Sequence, residues 1–122
     1  MELTGKCKQD FEKWFIENDK GNPLKSWVSE DLGLIYLQSS WYHLPQSMQY
    51  GVYVDFFDSV GIRINVEPFE VLVADKEGFR YWWTMYRGSK ILQSNLPLGH
   101  LTRQEARIKA IEKANEIYNE RN

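Results

Sequence analysis

Asp55 and Asp58 are two carboxylates three residues apart in an apolar stretch of the chain. On a helix, this spacing places both carboxylates on one face, as an acid/base pair or a metal site would require. No third ligand of a suitable type lies nearby in the sequence. We therefore interpret both residues as solvated or capping carboxylates and predict no metal site.

The other residue types that perform catalysis are isolated in the sequence. His43 and His100 lie in loop-like segments, and neither has a sequence partner that suggests nucleophilic catalysis. Gly78 and Gly88 are single turn glycines and form no phosphate-binding loop. Cys7 is the one cysteine, which excludes an internal disulfide, and no Cys/His cluster suggests zinc. We expect a protein that is not an enzyme and uses no cofactor.

The aromatic stretch Phe79–Arg87 carries the strongest indication of a binding surface. If it forms a strand, alternate side chains point to opposite faces, and one set consists of Arg80, Trp82, Thr84 and Tyr86. If helices cover only the other face, Trp82 and Tyr86 lie on the open one, with Arg63 from the neighbouring strand. Arginine beside aromatic rings is typical of protein-binding hot spots and of surfaces that stack on bases. The predicted binding residues are Arg63, Arg80, Trp82, Tyr86 and Arg87.

The same residues leave other interpretations open. If residues 24–40 cover Trp82 and Tyr86, both side chains enlarge the core instead. A nucleic-acid-binding module would use a set of four cations, namely Arg63, Arg80, Arg87 and Lys90. A pocket between helices and sheet, lined by aromatic side chains, would instead sequester a nucleotide. An exposed aromatic face would also suit a homodimer.

Length and composition predict one folded domain over residues 1–122. A chain of 122 residues with 43% hydrophobic and 15% aromatic residues can bury a core. The formal net charge of −2 argues against nucleic-acid binding by bulk charge. The sequence has neither a signal-peptide core nor an apolar run of membrane-spanning length, so we expect a cytoplasmic protein with no membrane partner.

Apolar residues at helical spacing predict an amphipathic first helix over residues 3–18. They are Leu3, Cys7, Phe11, Trp14 and Phe15. Thr4 is the predicted cap, and Cys7 is predicted to be a small buried apolar residue. The segment 24–40 is ambiguous, because Gly33–Leu37 fits either a short strand or part of a helix.

The stretch Leu44–Ile62 is the densest apolar and aromatic run of the chain. Its residues alternate as in a strand, yet five apolar residues recur at every fourth position as on one helical face. These five are Leu44, Met48, Val52, Phe56 and Val60. Pro45 suits the first turn of a helix and Gly61 suits the left-handed residue that ends one, so we predict a helix. Gly51 is either a weak point of this helix or a place where another backbone approaches closely.

Period-two alternation after Gly61 predicts an antiparallel meander. The predicted strands cover residues 62–67, 69–74, 79–87 and 90–93. Pro68 interrupts the first two, and turns are predicted at Asp75–Gly78 and Gly88–Ser89.

The last helix is predicted from a capping box formed by Thr102 and Glu105. An apolar stripe follows it, consisting of Ala106, Ala110, Ile111, Ala114, Ile117 and Tyr118. The complete pattern predicts an α+β fold, in which N-terminal, central and C-terminal helices pack on an antiparallel sheet of three or four strands.

Two stretches resemble small accessory proteins encoded by bacteriophages and prophages, namely SMQYGVYVDFFDSVGI (47–62) and TRQEARIKAIEKANEIYN (102–119). The resemblance covers somewhat under half of the chain and assigns no residue a role. It implies the cytoplasm of a bacterial host and binding to a host or defence-system protein. The sheet and last helix are also similar to the double-stranded RNA-binding fold, but only Arg103 and Arg107 supply charge at the helix start, so this likeness is fold analogy.

Overall fold

A computed structural model of the chain describes residues 2–17, 41–73, 76–95 and 99–121. These residues form three α-helices and a three-stranded antiparallel sheet, which confirms the α+β prediction. The elements in order are α1 (Gly5–Glu17), a 3₁₀ turn (Trp41–His43), α2 (Gln46–Ser59), β1 (Arg63–Val73), β2 (Lys76–Arg87), β3 (Lys90–Ser94) and α3 (Arg103–Arg121). The ambiguous segment 24–40 lies outside the described residues.

The helices bury one face of the sheet, hereafter the inner face. α3 packs on β1 and β2, α2 packs against β1, and α1 packs on the two other helices. The inner face supplies Ile64, Trp83 and Met85 to the core, and all three side chains are buried. Among the described residues, no helix combines the length and apolar character needed to cross a bilayer.

Phe11 of α1 lies at the centre of an aromatic cluster that joins α1 to α2. Its ring centroid is 4.9 Å from that of Tyr53 and 5.4 Å from that of Phe56, which it meets edge-on. Trp41 of the 3₁₀ turn closes the cluster, 5.9 Å from Phe11 and 5.0 Å from Phe15. Tilted and edge-on pairs at such distances are the favoured aromatic geometries, so ring–ring contacts stabilise the fold beyond the effect of burial alone.

The central helix is confirmed, and its predicted apolar face is confirmed in part. Phe56 is buried and Leu44, Val52 and Val60 are half-buried against the core, whereas Met48 is 58% exposed. Tyr53 and Phe57 are buried beside Phe56, and these rings remove large apolar surfaces from water. Gln49 can be buried because its Nε2 donates to the Trp41 carbonyl oxygen at 2.9 Å.

The ends of α2 follow the predicted signals, except that Pro45 stands at the N-cap, one residue before the first turn. Gly61 has the expected positive φ of 85°. Gly51 is exposed, and a Cβ added there would meet nothing within 4 Å. The close approach of another backbone at Gly51 is therefore wrong for the described residues.

Successive residues of β2 direct their backbone hydrogen-bonding groups to opposite sides of the strand, in turn toward β1 and away from it. Tyr81 exchanges two backbone hydrogen bonds with His100, of 2.8 and 2.6 Å, and the carbonyl of Trp83 accepts from Asn95 on the same side. Successive residues of an antiparallel strand turn their backbone groups to opposite sides. Trp82 and Thr84 therefore turn theirs toward β1.

Pro68 does not interrupt β1, which runs unbroken through it and corrects the prediction of two strands. Asn65 and Glu67 are the partners of Thr84 and Trp82, so their backbone groups bond β2. Ile64, Val66 and Pro68 consequently turn theirs to the opposite edge. A proline is tolerated there because its missing N–H is not needed by the ladder.

The second strand also begins earlier than predicted. β2 begins at Lys76, and Gly78 pairs with Val71 inside the ladder. Residues 76–78 therefore belong to a strand, and the prediction of a turn over Asp75–Gly78 is wrong for them. Extending the ladder satisfies backbone groups that a wider turn would leave to water. The Gly88–Ser89 turn and the short third strand are confirmed, with Gly88 at φ 60°.

The start of α1 is held by two asparagines of α3. Asn119 Oδ1 accepts from the Cys7 N–H at 2.8 Å, and Asn115 Oδ1 accepts from the Thr4 N–H at 2.9 Å. The Thr4 hydroxyl accepts from Asn115 Nδ2 at 2.9 Å. A Cβ on Gly5 would lie 3.3 Å from the Asn119 amide, so glycine allows this close approach. The first turn of one terminal helix is thus capped from the other.

The predicted cap and apolar stripe of α3 are confirmed. Thr102 Oγ1 accepts from the Glu105 N–H at 3.1 Å, which is one half of the capping box. The stripe members that become buried are Ala106, Ala110, Ile111, Ala114 and Tyr118. Cys7 is fully buried, as predicted for a small apolar residue of α1.

We expect Asn119→Ala to lower the free energy of unfolding by about 1–2 kcal/mol, because the Cys7 N–H loses its acceptor in a part-buried position. Urea denaturation of the full chain measures this. Glu120→Ala is the matched control, since Glu120 is the adjacent exposed residue of α3. A loss no larger than that of the control would contradict the capping role.

Asp10 gives a second prediction, which concerns pH. The Tyr118 hydroxyl donates to its carboxylate, and this bond, followed by that from Lys6, lowers the pKa of Asp10 below its ordinary value of 3.8. A lowered folded-state pKa contributes stability above pH 3.8 that is lost as the pH falls below it. Tyr118→Phe should therefore lower the unfolding free energy by about 1 kcal/mol near neutral pH and make its acid decline shallower.

Urea denaturation at several pH values between neutrality and about pH 2 checks this expectation. In an Asp10→Asn background, the same Tyr118→Phe change should leave the shape of the pH profile unaltered. Parallel profiles for the wild type and Tyr118→Phe would show that the hydroxyl does not lower the pKa of Asp10.

Candidate functional site

The sheet face opposite the helices, hereafter the outer face, carries the predicted aromatic and arginine surface. Its cross-strand pairs follow from the register of β1 and β2, and they are Arg63 with Tyr86, Asn65 with Thr84, Glu67 with Trp82, and Phe69 with Arg80. Side chains of directly paired residues share a face and touch one another. Four of the five predicted binding residues therefore lie on one continuous surface.

Arg63 and Tyr86 form the best-defined contact of the outer face. The guanidinium carbon of Arg63 lies 4.8 Å from the Tyr86 ring centroid, within the range of a cation–π contact. The two residues are direct cross-strand partners, so the ladder itself fixes their separation.

Trp82 and Tyr86 flank a narrow cleft in the middle of the outer face. Both rings are half-buried, whereas Thr84 between them is only 3% exposed. The cleft measures about 10 Å³, which is the space of one water molecule, and Asn65 and Glu67 complete its lining. Whether residues 24–40 also contact these rings concerns a segment outside the described residues.

Arg80 and Arg87 differ in their positions. Arg80 pairs with Phe69 and shares the outer face. Arg87 follows the alternation to the inner side, where it lines a separate cavity of about 400 Å³ together with Tyr118 and Arg121. Lys90 is the direct partner of Arg87, so the register places it on that side too. The structure thus separates Arg87 from the other four predicted residues.

Sequence reasoning missed several residues of the outer face, namely Asn65, Glu67, Phe69 and Ile91. Ile91 pairs with Tyr86 and is 59% exposed, so it adds exposed apolar surface to this face. Phe69 lies against Gly99, where an added Cβ would approach its ring to 2.9 Å. The period-two alternation predicted for residues 62–67 places Asn65 and Glu67 on the same face as Arg63, so the sequence did contain this signal.

The candidate catalytic residues form no shared site among the described residues. Asp55 and Asp58 are exposed on α2, and partial burial, followed by the charge of Asp55, raises the pKa of Asp58. Burial raises the pKa of the Cys7 thiol to about 12, so it stays protonated at neutral pH. No group of three or more His, Cys, Asp or Glu residues in the described part of the chain could hold a metal ion.

Comparison with protein-family models, with curated proteins and with solved structures gives no match to the chain.

The Arg63–Tyr86 contact predicts an energetic coupling. A double-mutant cycle with Arg63→Ala and Tyr86→Leu, measured as unfolding free energies, should give a coupling of about 0.5–1 kcal/mol. Arg80→Ala combined with Tyr86→Leu is the control pair, because these residues are not direct partners. Equal couplings in the two cycles would show that the stack contributes nothing specific.

Proposed function

We propose that the protein is a non-enzymatic accessory protein of the bacteriophage type that binds a host protein through the outer face, in the host cytoplasm. The observation that carries this proposal is the half-buried Trp82 and Tyr86 pair with Arg63 stacked on one of its rings. Trp, Tyr and Arg are the residue types that dominate protein-binding hot spots. The resemblance to phage accessory proteins makes a host component, such as one of a defence system, the expected partner.

The charge distribution of the outer face favours a protein over a nucleic acid. Arg63 and Arg80 share this face with Glu67, which stands directly opposite Trp82. Phosphate backbones require a run of cations, and a carboxylate in the middle of the surface opposes them. Arg87 and Lys90, the other cations of a nucleic-acid surface, lie toward the inner side.

Ile91 extends the apolar part of the proposed interface. Ile91 lies on β3, pairs with Tyr86 of β2 and is mostly exposed. An apolar centre with arginines at its margin is the common composition of interfaces between proteins. The partner surface should therefore present apolar side chains to Trp82 and Ile91 and a carboxylate or carbonyl to Arg63.

We expect Trp82→Ala and Tyr86→Ala each to weaken binding of the host partner by about ten-fold or more while the chain stays folded. The tagged chain first captures the partner from nuclease-treated bacterial lysate, and titration of the purified pair then gives the affinity. Met48→Ala is the control, since Met48 is an exposed apolar residue on α2 and not on the outer face. Unfolding of the Trp82 and Tyr86 variants would show that both rings belong to the core.

A parallel capture from untreated lysate tests nucleic-acid binding. If material retained from untreated lysate is lost after nuclease treatment, and binding weakens steeply with salt concentration, the partner is a nucleic acid and the proposal fails. An affinity that changes little with salt supports a protein partner.

The cavity that contains Arg87 favours a second candidate function, the sequestration of a nucleotide. Arg87 and Arg121 offer two cations beside the Tyr118 ring in a space of about 400 Å³. Thermal shift against a nucleotide panel tests this candidate, because a ligand at a hundred times its Kd adds about 2.7 kcal/mol of stability. A flat panel removes it without affecting the outer face.

A further inference from the structure

A cavity of about 320 Å³ lies between α3 and the inner side of the sheet. Its sheet wall is formed by Trp83 of β2, with Asn95 and His100 beside it. Its helix wall is formed by four charged residues of α3, namely Lys109, Glu112, Lys113 and Glu116. Sites for small molecules measure about 300–1,000 Å³, so this space suits one small organic molecule.

The structure fixes the orientation of the Asn95 amide. Its Oδ1 accepts from the Trp83 N–H at 2.8 Å, and the backbone N–H of Asn95 donates to the Trp83 carbonyl oxygen at 3.2 Å. Because a backbone N–H can only donate, the amide atom that meets it is the oxygen. Asn95 is therefore held against β2 with its Nδ2 directed away from this contact.

Two buried donors belong to residues of the sheet wall. They are Trp83 Nε1 and Asn95 Nδ2, and in the part of the chain that the structure describes neither has a hydrogen-bond acceptor. Trp83 itself is only 6% exposed. A buried N–H without an acceptor destabilises a fold, and native proteins give most such groups a partner. Two of them on residues that line one cavity indicate that a bound molecule supplies the acceptors.

His100 adds a further polar side chain to the sheet wall. Its backbone N–H donates to the Tyr81 carbonyl oxygen at 2.6 Å, and its carbonyl oxygen accepts from the Tyr81 N–H at 2.8 Å. These two bonds hold His100 beside β2, two residues along the strand from Trp83. An imidazole ring has at least one N–H in each of its protonation states, so the sheet wall is rich in donors.

The charges of the helix wall balance one another. Lys109 Nζ lies 3.1 Å from the Glu112 carboxylate, and Lys113 Nζ lies 2.8 Å from that of Glu116. The two carboxylates would repel a multiply charged anion such as a phosphate dianion. Each ammonium group has three N–H donors, so it can bond a ligand as well as its glutamate. A singly charged acceptor fits this balance best.

We propose that this cavity binds a small organic molecule with one carboxylate, whose oxygens accept hydrogen bonds from Trp83 Nε1 and Asn95 Nδ2. An ionised carboxylate only accepts, and its two oxygens can satisfy both donors at once. The Trp83 ring offers an apolar surface to the rest of the molecule. The site shares no lining residue with the cavity that contains Arg87, and it lies on the side of the sheet opposite the outer face. It therefore depends on neither function proposed above.

The test titrates the full chain with sodium benzoate and follows the indole and side-chain amide N–H signals by NMR. We expect saturable binding that shifts the signals of the Trp83 indole and the Asn95 amide and slows their hydrogen exchange. The Trp41 indole is the internal control and should not respond, because Trp41 is buried in the aromatic cluster instead. Benzylamine carries a positive charge on a similar ring and should not bind.

Asn95→Asp is the decisive variant. Aspartate keeps an oxygen for the Trp83 N–H but replaces the Nδ2 donor with a second oxygen, so the affinity for benzoate should fall by about ten-fold or more. Asn65→Asp is the matched control, since it makes the same change on the outer face and should leave benzoate binding unaltered. The signals of the wild-type chain decide the question even if Asn95→Asp does not fold.

Several outcomes would overturn the proposal. One is the absence of saturable benzoate binding, and another is binding that leaves the Trp83 and Asn95 side-chain signals unmoved. Benzamide has the same shape without the charge, so equal affinities for benzamide and benzoate would show that the site does not select a carboxylate. A blocked peptide with a single glutamate that shifts both signals where benzoate does not would assign the site to a protein side chain instead.

Discussion

The capping of α1 by α3 is the constraint on which the remaining packing depends. Asn115 and Asn119 stand one turn apart on α3 and satisfy the Thr4 and Cys7 N–H groups across 111 and 112 residues of sequence. These bonds fix both the position and the rotation of α1, because a helix start has few other ways to satisfy its first donors. Phe11 is thereby directed into the aromatic cluster with Tyr53, which holds α2 in turn.

The outer face is rigid because the inner face of the same strand is packed against the helices. Trp83 and Met85 are buried against the helices, so β2 cannot twist or slip without moving the core. Trp82 and Tyr86 alternate with them on the same strand and are therefore held at fixed spacing. Binding at such a surface costs this protein less conformational entropy than binding at a loop would, because the ladder has already ordered the side chains.

The sequence predicted the sheet face on which each side chain lies better than it predicted the cross-strand pairs. A turn over Asp75–Gly78 would pair residue 74 with residue 79 and so place Arg63 opposite Lys90, whereas Arg63 stands opposite Tyr86. The register differs by four residues, an even number, so the side chains keep their faces while their partners change. Arg63, Trp82 and Tyr86 could therefore be assigned to one surface, but the stack of Arg63 on Tyr86 could not be foreseen. The burial of Tyr53 and Phe57 on α2 was not predicted, because periodicity counts apolar positions equally, whereas packing favours large rings.

β1 links the helix layer to the outer face. Ile64 is buried on the inner face, while Asn65 and Glu67 stand opposite Thr84 and Trp82 on the outer face. Successive residues of a strand point to opposite faces, so the burial of Ile64 determines the side to which Asn65 and Glu67 point. The packing of the helices on β1 therefore also determines where a carboxylate stands beside Trp82, and with it the charge that a partner of the outer face meets.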